Sequence, residues 1–134
     1  MDAANPSSLA LDVSANPNAS TDAVRVARPS GPARPVVFAS PHSGRHYTSE
    51  MQSLTCLTLD QLRRSEDAYV DTLIASAPEF GAHLVTAQFP RVFVDPNRGP
   101  WELDPGMFSD RLPDQTAPVS RRAASGLGVV PRIG

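Results

Sequence analysis

Three short stretches carry side chains able to do chemistry. His42 lies in Pro41-His42-Ser43-Gly44, Glu66 and Asp67 stand side by side, and Asp95, Asn97 and Arg98 fall within Asp-Pro-Asn-Arg. An imidazole in a turn can ligate a metal, carry a proton, or serve only as a polar loop side chain. Adjacent carboxylates that approach an apolar face need a counter-ion or a cation, because an unpaired buried charge is costly. A planar guanidinium beside amide groups suits two-pronged recognition of a carboxylate. Asp, Pro, Asn and Gly are also common turn formers, so Asp95 to Gly99 has a purely structural reading as well.

The elements that must position these groups can be read from local pattern. Val36 to Ala39 is an apolar, β-branched and aromatic run, which predicts a short strand buried on both faces. Pro41 ends it and Gly44 permits a sharp turn, so His42 is expected at the carboxyl end of a strand, where open α/β sheets bind ligands. Thr58 can cap a helix, and Leu59, Leu62, Tyr69, Val70, Leu73, Ile74 and Ala77 recur at three- and four-residue spacing. That stripe predicts one helix from Thr58 to about Ala77. At about 100° per residue, Glu66 falls near the middle of its apolar face and Asp67 at the edge, so one of the two acids should be partly buried. Arg63 can pair with Asp67 from four residues away; the alternative is a metal shared with His42.

Residues 82–89 predict a second strand and Arg91 to Asp95 a third, with a loop at its carboxyl end. Arg98 heads that loop, whereas Arg91 reaches it only if the chain bends. Trp101 to Pro118 reads as a long proline-punctuated loop, Ser120 to Ser125 as the start of a short helix, and residues 126–134 as the opening of a further element that breaks off. Residues 1–34, rich in Ala, Ser, Asn and Pro and without sustained periodicity, read as a disordered tail, with Val24 and Val26 able to extend as an edge segment.

The totals narrow the function classes. The chain has 134 residues, a formal net charge of -2 and no lysine, and no basic stripe that would suggest nucleic acid or a membrane surface. Its single cysteine, Cys56, excludes an internal disulfide. No apolar run approaches the roughly 20 residues of a membrane span, and the amino terminus lacks the apolar core of a secretory signal. A cytoplasmic location is the default expectation.

Taken in order, Pro41 to Gly44, Ser65-Glu66-Asp67 followed by Tyr69-Val70-Asp71, Phe80-Gly81-Ala82, Arg91-Val-Phe-Val-Asp-Pro-Asn-Arg98 and residues 126–133 resemble the N-formylglutamate amidohydrolases. The resemblance covers residues 35–134, which would be the amino-terminal part of an amidohydrolase domain. It implies an α/β fold, here part of the three-layer α/β/α sheet of the zinc carboxypeptidases and aspartoacylases. It also implies a zinc-dependent hydrolase that removes formate from N-formyl-L-glutamate, the last step of one route of histidine degradation. His42 matches the family's first metal ligand and Asp67 its acidic ligand, while Asn97 and Arg98, with Arg91 as a weaker candidate, match residues that hold a substrate carboxylate.

These types suit the implied chemistry, since zinc takes imidazole nitrogen and carboxylate oxygen and its catalytic sites keep one position open. The family's third ligand, a later histidine, and its general base have no counterpart here: His42, His46 and His83 are the only histidines. His46 is a conceivable substitute. The expected partner is a small N-acyl amino acid. Two rival readings remain: a non-catalytic α/β module holding an acidic metabolite through Asn97 and Arg98, and an inactive fragment.

Overall fold

The computed structural model describes residues 23–110 and 119–132. The part of the expected tail before Ala23, most of the proline-rich half of the 101–118 loop, and Ile133 and Gly134 lie outside the described residues.

The chain is mixed α/β. Three strands, β1 (Val24–Ala27), β2 (Val37–Ser40) and β3 (His83–Ala87), form one sheet in the order β1-β3-β2. β1 runs antiparallel to β3, with Val24 opposite Ala87, and β2 runs parallel to it, with Val37 opposite His83 and Ser40 opposite Thr86. The edge segment expected at Val24 and Val26 is therefore a full member of the sheet, and the last part of the presumed tail belongs to the fold. Parallel pairing of β2 and β3 requires a long crossover, and the chain fills it with α1 (Ser49–Ser53), α2 (Leu59–Arg63), α3 (Val70–Leu73) and a 3-10 turn over Ala77–Phe80.

Two strands occur where sequence pattern places them, but β2 is not sandwiched. Val37 is 65% and Phe38 43% exposed, because β2 is an outer strand among the described residues. The buried core is small: Ala77, Ala82 and Leu84, with Ala27 and Ile74 packed against them.

The single helix expected from Thr58 to Ala77 is divided. Thr58 does cap it, in a reciprocal capping box with Gln61, and α2 follows. The ladder then stops: the N–H groups of residues 64–66 bond to carbonyls three residues back, the Asp67 N–H donates to the His42 carbonyl at 3.0 Å, and Tyr69 adopts a left-handed φ of 64° before α3 begins. The period-3.6 stripe fails for the same reason. Leu62 and Ala77 are buried, whereas Tyr69 and Leu73 face solvent.

The third expected strand is absent. After Pro90 the chain turns, with the Phe93 N–H donating to the Pro90 carbonyl, and Asp95 bonds through its N–H to the Val129 carbonyl at 2.7 Å while its carbonyl accepts from the Arg98 N–H at 3.2 Å. Short α4 (Arg121–Ala124), capped by Ser120, leads into this returning segment. The turn at residues 91–93 is the bend that Arg91 needs to reach the loop, and it decides the geometry of the site.

Candidate active site

The carboxyl end of β2 delivers His42 into a buried turn held by a close backbone approach. At Gly44 a Cβ would overlap the Phe89 carbonyl, so the 42–44 turn lies directly against the end of β3. His42 is 8% exposed.

Around this ring the structure gathers all five residues singled out for metal or substrate. Nε2 of His42 lies 2.9 Å from Oδ1 of Asp95, and Nδ1 lies 3.2 Å from Oδ2 of Asp67 and 3.0 Å from Nη1 of Arg91. Arg91 also donates through Nη2 to Oδ2 of Asp95 at 2.7 Å. The Asn97 backbone N–H donates to Oδ1 of Asp95 at 2.9 Å, and Nη2 of Arg98 stands 4.0 Å from Oδ2. Asp95 is thus the hub, with its side chain 1% exposed.

Burial acting alone would raise the pKa of Asp95. The Asn97 backbone N–H, the His42 ring and the Arg91 guanidinium outweigh it and hold the carboxyl below its ordinary value of 3.8. Sequence reasoning counted Asp95 as a turn former, and it is one, since its bond to the N–H two residues on makes an Asx turn. Arg91 and Asp95 stand four apart, the one local signal that could have marked this acid as paired rather than merely loop-forming.

The two neighbouring acids separate. Glu66, with its side chain 2% exposed, accepts from the Tyr47 hydroxyl at 3.0 Å and pairs with Nε of Arg63 at 3.2 Å. Burial, followed by the hydrogen bond to Glu66, pushes the Tyr47 pKa well up. Asp67, 52% exposed, turns the other way towards His42. Arg63 is therefore the partner of Glu66, not of Asp67 as spacing suggested. One acid is indeed buried, and it is the one central to the predicted apolar face.

Asn97 is exposed, and Arg98 is held by its backbone neighbours: Nε donates to the Leu127 carbonyl at 2.9 Å and Nη1 to that of Asn97 at 2.8 Å. Exposed His46 is tied through its backbone N–H to Gln88, and no hydrogen bond or ion pair among the described residues joins its ring to the cluster. His83 opens β3 opposite Val37, away from the loop.

Among the described residues no group of three or more His, Cys, Asp or Glu has the geometry of a metal site. What is present is a donor pair. Ligands at about 2.0–2.2 Å from a tetrahedral zinc stand roughly 3.3–3.6 Å apart, close to the 3.2 Å between Nδ1 of His42 and Oδ2 of Asp67. Imidazole nitrogen and carboxylate oxygen are also the right donor types. The pair fits two positions of a zinc site.

The sequence model of the N-formylglutamate amidohydrolases matches residues 34–134. The chain belongs to that family. Among solved structures it is similar to the N-formylglutamate amidohydrolase from Ralstonia eutropha JMP134, at 34% identity and a TM-score of 0.70. The likeness covers 81% of this chain and 38% of that one, so the chain spans well under half the length of this amidohydrolase. No curated protein matches the chain. Of the residues that carry the family resemblance, Asp67, Arg91 and Asp95 meet at the His42 ring, and none of the described helices is long and apolar enough to cross a membrane.

Proposed function

We propose that this chain carries part of the active site of a zinc-dependent amidohydrolase that releases formate from N-formyl-L-glutamate, in the setting of histidine degradation. We further propose that its sheet is a portion of a three-layer zinc carboxypeptidase-like fold. One observation carries the reading. Arg91 is an obligate donor, so its contact with His42 makes Nδ1 an acceptor and leaves Nε2–H to donate to Asp95. In that tautomer Nδ1 and the Asp67 carboxylate stand 3.2 Å apart with no hydrogen between them, and a cation taking the place of the Arg91 N–H at the Nδ1 lone pair would be shared by both.

His42 and Asp67 would hold the metal, with a further ligand needed from outside the described residues. When bound, zinc supplies Lewis-acid polarisation of an amide carbonyl and lowers the pKa of a water towards about 7. The remaining work falls to the chain. Asp95 orients the His42 ring by accepting its Nε2–H, as a carboxylate behind a ligating imidazole does. Arg91 selects the tautomer and would yield the Nδ1 lone pair to a bound metal while keeping its bond to Asp95. Arg98, its side chain only 9% exposed and two of its N–H groups committed to carbonyls, keeps Nη2, which stands 4.0 Å from Asp95, as the group that would meet a substrate carboxylate, and Asn97 lies exposed beside it. Fixing that carboxylate would hold the formyl amide in one place relative to the metal.

The test is zinc content and formate release, measured on this chain and on a chain extended to the length of the family's solved amidohydrolase. The proposal expects zinc that is lost in His42→Ala and Asp67→Asn, and turnover of N-formyl-L-glutamate at least in the extended chain. An extended, folded, zinc-loaded chain that releases no formate would overturn it. Metal-free protein that still binds glutamate would favour the non-catalytic module.

A further inference from the structure

We infer that Ser43 is the positioning residue that keeps the helical ladder from resuming between Asp67 and Asp71 and turns the Asp67 carboxylate onto His42. The inference rests on His42 and Asp67 forming a donor pair, but not on the metal or on the reaction.

In an uninterrupted α-helix the N–H of residue 71 would bond to the carbonyl of residue 67. Here the Ser43 hydroxyl stands between them. Its Oγ–H donates to the Asp67 carbonyl at 2.8 Å, and its oxygen accepts from the Asp71 N–H at 3.3 Å. A third bond, from the Ser40 hydroxyl at 2.7 Å, uses the remaining lone pair, so the group is fully satisfied in a residue only 3% exposed. A side chain inserted into the i to i−4 ladder is one of the few recognised causes of a sharp break in a helix.

Three further features follow from the insertion. The Asp67 N–H is turned to the His42 carbonyl, which ties the acid to the histidine loop from the other side. Tyr69, inside the bridged span, is held at φ 64°, a conformation L residues seldom adopt, although its side chain is mostly exposed and lies under the Arg45 guanidinium, whose carbon stands 5.5 Å from the ring centroid, rather than in the core. The strain is set by the bonds on either side of it. Finally, the strong period-3.6 pattern from Leu59 to Ala77 yields two short helices instead of one. Without the hydroxyl, the Asp71 N–H can join the Val70 N–H on the Asp67 carbonyl, the helix extends back across this span, and the Asp67 carboxylate swings away from the imidazole.

The experiment is a double-mutant cycle on the whole chain between His42→Ala and Asp67→Asn, read from urea unfolding, with and without Ser43→Ala. With Ser43 in place the unfolding constants are expected to be non-additive by about fivefold or more; with Ser43→Ala the non-additivity is expected to fall below about twofold, while Ser43→Thr, which keeps the hydroxyl, restores it. Loss of a merely structural hydrogen bond would lower stability equally in every background and leave the cycle unchanged. Coupling that persists in Ser43→Ala, or that is absent with Ser43 present, overturns the inference. If Ser43→Ala alone does not fold, the cycle is run in Tyr69→Gly, where the left-handed conformation costs nothing, with the same two outcomes. Failure of the amidohydrolase reading would appear separately, as missing zinc or formate with the coupling intact.

Discussion

The Nε2 of His42 and Oδ1 of Asp95 lie 2.9 Å apart, joining a turn at the end of β2 to a turn 53 residues further on. Each side chain is nearly sealed from solvent, and the carboxylate also holds Arg91 and the Asn97 backbone. Removing its charge leaves the partly buried Arg91 guanidinium without its counter-ion.

Asp95→Asn should therefore lower stability by about 3 kcal/mol, the range for breaking one partner of a buried pair. The amide can still accept from the Asn97 N–H, so the turn survives while the Arg91 contact is lost. Urea unfolding measures the effect, and a change under about 1 kcal/mol would show that Asp95 is not the hub.

Acidification tests the same group. The folded-state pKa of Asp95 lies below its ordinary 3.8, so its contribution is fully present above that value and disappears as pH falls through the folded pKa. Stability should drop below about pH 4, and in Asp95→Asn this part of the drop should be missing. Thermal unfolding scanned against pH gives the comparison.

Tyr47 makes the opposite prediction. Its pKa is raised above 10.0, so the neutral phenol bonded to Glu66 stabilises the fold below that pH and ceases to do so as pH rises further. Ultraviolet absorbance should show one tyrosine ionising late or only with unfolding, and Tyr47→Phe should remove that component. The same substitution should cost about 1–2 kcal/mol, since it leaves a buried Glu66 oxygen short of a donor.

At Gly44 any side chain meets the backbone of Gln88 and Phe89. Gly44→Ala should cost about 2 kcal/mol or more, because backbone cannot retreat as a flexible side chain does. It should also move the His42 turn, which chemical shifts of the His42 ring would register. A neutral substitution would show that the turn stands further from β3 than described.

Much of the scaffold was legible because its signals are local. Thr58 and Ser120 cap helices where their neighbours leave N–H groups unpaired, Pro41 and Gly44 end β2 and turn the chain, and β3 reads from its own apolar run. The family, too, was legible in the order of short motifs around His42, Asp67 and Arg91 to Arg98. Arg91 to Asp95 misled because RVFVD has strand composition, yet pairing needs a neighbouring strand and the chain offers a turn instead.

By itself the sequence determined which chemical groups are available, where strands and helices can begin, and that an imidazole, three carboxylates and two guanidinium groups cluster in motifs. It did not determine which of them meet. Tertiary structure chose Asp67 over Glu66 for His42, made Asp95 the centre, and divided a helix whose own periodicity favours continuity. The physical reason is distance along the chain: a hydroxyl at position 43 competes for hydrogen bonds at 67 and 71, and no local propensity at those positions records a partner more than twenty residues away.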